Sequence, residues 1–128
     1  MVRHPSGEGA GQRSGFYAST HDVAPTILGF LGVDQPAPMD GQDLTPLLSG
    51  EGPERPRDHI TQGYYRYICV RNEHRVMFCL SDMTDVHLFD AINDVDQRRD
   101  LAESEPETVK RMYEGYAQRD AAGRLPNF

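Results

Sequence analysis

The sequence has no tryptophan, only two cysteines and fewer basic than acidic residues. Each shortage excludes something. Cys69 and Cys79, each in an apolar run, are too few for a disulfide framework or a zinc site. They read as small buried hydrophobes, with a bridge between neighbouring strands as the lesser alternative. The 13 basic residues are outnumbered by 20 acidic ones, for a net charge of −7. Arg55, Arg57, Arg66, Arg71, Arg75, Arg98 and Arg99 are scattered and form no stripe with interleaved aromatics. Nucleic acid and anionic membranes are therefore not expected partners. The longest apolar stretch, about Ile27 to Val33, is broken by two glycines. It falls well short of the roughly 20 residues that span a bilayer. No apolar segment follows Met1-Val2-Arg3-His4-Pro5, so the sequence as it stands points to the cytoplasm. A lost upstream segment of a longer parent could have carried a signal.

The common catalytic templates are missing too. His4, His21, His59, His74 and His87 lie far apart, with no H-x-x-x-H pair. There is no G-x-S-x-G elbow. Gly7-Glu8-Gly9-Ala10-Gly11 lacks the Lys-Ser/Thr of a phosphate loop and reads as a flexible loop. His21-Asp22 is a conceivable acid–base pair. Adjacent helical residues do not face each other, however, so Asp22 fits a cap better. Asp82, Asp85, Asp90, Asp94 and Asp96 are dense enough to suggest calcium. They lack the D-x-D-x-D-G spacing and read instead as solvated turn aspartates. Tyr64, Tyr65 and Tyr67 could line a sugar or aromatic pocket, although alternating strand aromatics fit a core better.

What is present amounts to one domain of 128 residues with a thin core, since only 38% of the residues are hydrophobic. That thinness hints that some apolar surface serves a neighbour. Residues 1–15 read as an arriving strand end and then a loop, and Phe16-Tyr17-Ala18 as a short strand. A helix starts near Thr20 to Asp22, with Pro25 in its first turn and a stop at Gly32. Ile27, Leu28, Phe30 and Leu31 leave it almost no polar face, as in a helix buried on several sides. Asp40-Gly41 marks a turn, and Asp43 can cap a short helix over residues 44–48 that Gly50 closes. Residues 51–58 read as a surface linker. Beyond it, Ile60 to Gln62, Tyr65 to Val70, Arg75 to Leu80 and Val86 to Phe89 are short, β-rich and separated by tight polar turns. This spacing predicts antiparallel hairpins. Ser104-Glu105-Pro106-Glu107 reads as a capping box opening a helix over 104–122, ending near Gly123. Val109, Met112, Tyr113, Tyr116 and Ala117 fall on its one apolar face. The expected class is α+β: a buried helix and loop in residues 1–50, the linker 51–58, then a small antiparallel sheet with one amphipathic helix in 59–128.

Two stretches carry a family resemblance. Asp22-Val23-Ala24-Pro25-Thr26-Ile27-Leu28-Gly29-Phe30-Leu31-Gly32-Val33 resembles the D-x-x-P-T helix near the end of the sulfatase catalytic domain. Met39-Asp40-Gly41-Gln42-Asp43-Leu44-Thr45-Pro46-Leu47-Leu48-Ser49-Gly50 continues it as D-G-x-S-L-x-P-L-L-x-G, with Asp43 where serine is usual. Leu88 to Ala102 is similar to the later L-Y-D-L-x-x-D-P-x-E-x-x-N-L-A, with Phe89, Val95, Gln97 and Asp100 as departures. Arg3-His4-Pro5 resembles the end of the strand before this loop. The resemblance covers residue 1 to about 118.

It implies a sulfatase of the alkaline-phosphatase superfamily, which hydrolyses sulfate esters; related members act on phosphate esters. The family uses a formylglycine made from a C/S-x-P-x-R motif and a calcium ion that polarises the ester oxygens. Neither Cys69 nor Cys79 has the Pro and Arg of that motif, and the metal-binding turn and catalytic Lys of the family precede this region. No catalytic, cofactor-binding or metal-binding residue is therefore assigned in this chain. Residues 1–50 correspond to the distal remnant of the catalytic domain, and residues 59–128 to the C-terminal subdomain. The expectation is a C-terminal fragment, inactive alone, with calcium and formylglycine belonging to the complete protein. Its expected partner is the missing N-terminal catalytic domain, or a second copy meeting it through residues 16–33. A standalone non-catalytic binding or scaffold module and an unrelated small α+β enzyme are the rivals.

Overall fold

The computed structural model describes residues 4, 6–37, 39–52 and 54–121. It forms two compact units, Met1–Arg57 and Asp58–Phe128. The class is α+β, with helices in both units and one four-stranded antiparallel sheet.

In the first unit, Ser19 opens a single 3₁₀ turn, Thr20–Asp22, that runs into helix α1, Val23–Phe30. Ser19 and Asp22 cap each other reciprocally, the Asp22 carboxylate accepting from the Ser19 N–H. The cap is thus Ser19, and Asp22 is its capping-box partner rather than the cap expected from the sequence. Gly32 stops the helix as expected. It takes a φ of 64°, with Gly32 N–H donating to the Gly29 carbonyl and Val33 N–H to that of Leu28. Those two bonds satisfy carbonyls that the helix end would otherwise leave unpaired. A second 3₁₀ turn, Thr45–Leu48, follows, with Asp43 Oδ1 accepting from the Thr45 N–H at 2.8 Å. Residues 16–18, expected to be a short strand, are not in a strand among the described residues. Residues 1–3 and 5, where a strand end was expected, lie outside the described residues.

Helix α1 is less covered than its composition implies. Only Pro25 and Thr26 are buried, while Val23, Ile27 and Leu31 are more than half exposed. The described residues of this chain do not supply the all-round burial that such a helix expects.

The second unit is a meander: β1 His59–Tyr64, β2 Tyr67–Asn72, β3 Arg75–Leu80 and β4 His87–Asp90, in the order β1-β2-β3-β4. Tyr65, expected inside a strand, instead sits in the two-residue turn between β1 and β2. Alternation puts Ile68, Val70, Met77, Cys79 and Leu88 on one face, all fully buried. Against them lies the closing helix. It begins as α2, Pro106–Met112, widens into one π-helical stretch at Tyr113–Ala117 and ends as α3, Gln118–Asp120. Val109, Met112, Ala117 and Ala121 complete the core, with Tyr113 and Tyr116 packed at its edge. The sequence expectation of one continuous helix misses the widened turn around Gly115, and its end near residue 122 lies outside the described residues. The expected capping box of Ser104 and Glu107 does not form. Ser104 Oγ instead donates to the Leu101 carbonyl, and Glu105 stands at the N-cap without a capping bond, its carboxylate held by Arg75 Nε and Nη2 at 3.1 and 2.8 Å.

Cys69 and Cys79 are both free. Ile68 pairs with Cys79 and Cys69 with Phe78, so the two thiols point to opposite faces of the sheet. Burial raises the pKa of both thiols, that of Cys79 to about 11. Both are inert hydrophobes at neutral pH.

Candidate functional site

The most organised polar cluster of the first unit is built around Asp22, which is 1% exposed. Arg57 Nη1 and Nη2 donate to its two carboxylate oxygens at 2.6 and 2.8 Å. The backbone N–H groups of Ser19 and Gln42 donate at 2.7 and 2.9 Å. Burial raises the pKa of this carboxyl, but the Arg57 bond and the two N–H donors pull it down further, and the net shift is downward. Arg57 also donates to the Tyr17 carbonyl and lies over the Phe16 ring at 5.7 Å. Nearby, Thr26 Oγ1 donates to the Asp22 carbonyl at 2.6 Å and accepts from the Leu44 N–H at 3.1 Å. The Gln42 side chain clasps the backbone of Arg55 from both ends.

These bonds give the D-x-x-P-T and D-G-x stretches a physical meaning. They are two halves of one clasp that folds residues 40–45 onto the start of α1. Gly29 lets the Asp43 carboxylate lie where a side chain would stand, and Gly41 passes so close to the His21 carbonyl that a Cβ would collide. Asp22 is saturated by donors, with no lone pair left for a base or a metal. His21 is exposed and its Nδ1 meets Ser19 Oγ at 3.0 Å, so His21-Asp22 is not an acid–base pair. Arg55 and Arg57 fall in the stretch read as linker. Nothing local marks them as anchors, because Arg57 meets Asp22 from 35 positions away.

Among the described residues, the second unit groups polar side chains around His59, His87 and Arg75. His59 sits between Asp58 (Nδ1, 2.6 Å) and Asp120 (Nε2, 2.7 Å) and stacks on Tyr116 at 4.0 Å between ring centroids. Arg119 Nη2 also lies 3.1 Å from His59 Nε2. Burial opposes the Asp120 charge, but Arg119, His59 and Thr61 outweigh it and lower its pKa. The cluster ties the start of β1 to the last turn of the helix. His87 is held by Asp100 at 2.7 Å and Asp85 at 3.2 Å, and its pKa rises mainly through the Asp100 bond. Asn72, His74, Arg75, Glu105, Thr108 and Arg111 line a shallow groove of about 290 Å³. Glu105 and Asp90 already compensate Arg75 there.

The turn aspartates serve backbone geometry. Asp82 accepts from the Thr84 N–H and hydroxyl. Asp94 accepts from the N–H groups of Arg98 and Arg99. Asp90 accepts from the N–H groups of Asn93 and Ile92 and from the Asn93 amide, which brings its pKa down to about 2. Among the described residues, no three His, Cys, Asp or Glu side chains converge as metal ligands. These turn carboxylates are spent on backbone N–H and neighbouring hydroxyl or amide donors, so among the described residues they do not assemble a calcium site. Among the described residues, no helix is long and apolar enough to cross a membrane.

An α+β chain with a clasped helix and a four-stranded meander backed by one helix is similar in fold to part of solved sulfatases and phosphonate monoester hydrolases. A phosphonate monoester hydrolase of Agrobacterium radiobacter superposes with a TM-score of 0.67 at 22% identity, over 88% of this chain and 26% of that one. A structure in complex with its substrate, D-glucosamine-2-N,6-O-disulfate, superposes with a TM-score of 0.58 at 23% identity. That match covers 77% of this chain and 24% of the other. The sequence narrows the class further. Residues 1–125 match the N-sulphoglucosamine sulphohydrolase C-terminal family, and the chain belongs to it. It is 35% identical over 98 residues to the N-acetylglucosamine-6-O-sulfatase of Bacteroides thetaiotaomicron, which covers 76% of this chain but only 17% of that relative.

Proposed function

We propose that this chain is the C-terminal part of a sugar-sulfate sulfatase and completes its fold without supplying the reacting groups. The carrying observation is the family match over residues 1–125, set against the 17% of the curated relative that the chain spans. The relative's named activity on N-acetylglucosamine 6-sulfate supports an amino-sugar sulfate as the ester cleaved by the complete protein. Nucleophile and metal ligands then reside in the N-terminal part, and the chain alone is inactive. The exposed Val23, Ile27 and Leu31 supply an apolar face for that part to cover.

The test is association. The chain is mixed with the N-terminal portion of a sulfatase of this family, truncated before its C-terminal region, and followed by sedimentation velocity. A one-to-one complex is expected, together with loss of hydrophobic-dye binding, and Ile27→Glu should prevent both. A clean monomer that binds neither dye nor the N-terminal portion would favour the standalone scaffold module.

A further inference from the structure

The tip of the β1–β2 hairpin exposes the three aromatics of the motif Tyr-Tyr-Arg-Tyr: Tyr64 is 84% exposed, Tyr65 59% and Tyr67 43%. Tyr64 and Tyr67 are direct cross-strand partners, so their rings lie on one face of the sheet. That face is opposite the helix, because Ile68 and Val70 point into the core. Tyr67 Oη donates to Asp85 Oδ2 at 2.8 Å, which fixes its ring. Arg66 reaches Asp82 at 3.3 Å beside it. Between the pair, Tyr65 adopts a φ of 57° in the first turn position, where two-residue hairpins that need a positive φ favour glycine.

We propose that Tyr64 and Tyr67 form a stacking platform for an uncharged pyranose ring. Such a sugar has one apolar C–H face and a rim of hydroxyls. The phenol rings match the first, and the Asp82, Asp85 and Arg66 side chains match the second. An apolar protein surface fits less well, because it would desolvate the charged, half-exposed Asp82 and Asp85 carboxylates. The rim carries two carboxylates against one guanidinium, which disfavours the sulfated end of a chain and favours a neutral neighbouring residue. The proposal deepens the sulfatase reading, on which it rests for the kind of sugar, and it concerns a subsite away from the scissile ester.

The experiment is an NMR titration of the full chain, labelled in its tyrosine rings, with neutral tri-N-acetylchitotriose. Resonances of Tyr64 and Tyr67 are expected to shift, and those of core-edge Tyr113 and Tyr116 to stay. Tyr64→Ala should weaken binding on the order of tenfold, the scale of one aromatic stack, while Tyr64→Phe keeps most of it. Unchanged Ile68 and Val70 amide shifts in the variants verify the hairpin. The proposal is overturned by no shift, by equal binding in Tyr64→Ala, or by tighter binding of a polysulfated oligosaccharide. Shifts of the same rings on raising protein concentration without sugar would overturn it too, and would assign the tip to a contact between copies. Association with the N-terminal portion without sugar binding rejects this proposal alone; sugar binding without association rejects the sulfatase reading alone.

Discussion

Asp22 joins three segments that are remote in sequence: the Ser19 turn, the Gln42 loop and Arg57. Replacing it with Asn keeps the shape but removes the charge from a pair in which Arg57 is itself mostly buried. Breaking such a pair costs about 3 kcal/mol, read as a lower urea midpoint of Asp22→Asn against the unmodified chain. The pH dependence has a definite sign. The carboxyl titrates below its ordinary 3.8, so it stabilises the fold above that value and loses its contribution as pH falls through the lower folded one. The stability gap between Asp22→Asn and the unmodified chain is therefore expected to stay constant near neutrality and to shrink below about pH 4. A gap independent of pH throughout would mean that the carboxylate charge plays no part. Little of this was legible beforehand. Asp22 stood out as a polar residue at a helix start, but its Arg57 partner carries no periodic or motif signal. Tyr65 was placed in a strand because β propensity reads a tyrosine and not the turn it occupies.

At the scale of elements, hydrophobic periodicity read the second unit well. Strand β3 has the expected bounds, and the apolar face Val109, Met112, Tyr113, Tyr116 and Ala117 packs on the sheet. The failures are at the ends and in the middle of the last helix, where side-chain competition decides. Ser104 Oγ donates to the Leu101 carbonyl instead of capping, and the backbone widens at Tyr113–Ala117. Tyr113 packs against the core and donates to the Ser81 carbonyl at 3.0 Å. Tyr113→Ala should therefore cost on the order of 3 kcal/mol by chemical denaturation. Its exposed helix neighbour Lys110, changed to Ala, should stay within about 0.5 kcal/mol. Equal small losses at both positions would mean that this helix does not seal the sheet. Helix α1 shows the opposite case. Its all-round apolar pattern signals burial, yet the described residues leave Val23, Ile27 and Leu31 exposed, because a pattern records what a helix needs and not which chain provides it.

For the molecule as a whole, the same argument joins composition to function. Hydrophobic content of 38% gives one compact core under the meander and leaves α1 with uncovered apolar surface. The polar clusters around Asp22, His59 and His87 are committed to caps, ion pairs and element junctions, and none brings a nucleophile beside a base. The family was legible because its motifs are structural: the Asp22–Thr26 and Gly41–Asp43 clasp constrains sequence strongly even where no chemistry occurs. Of the two readings of Tyr64, Tyr65 and Tyr67, the core is the one their exposure overturns, because nothing in the local alternation distinguishes a strand end that is covered from one that is not. The central claim is that the chain closes a sulfatase fold but contributes no reacting group, and sulfate release measured on the purified chain tests it most directly. With 4-nitrophenyl sulfate, with and without added calcium, the expected rate is no higher than the uncatalysed background. Turnover above background that a point substitution within residues 1–128 abolishes would contradict the account.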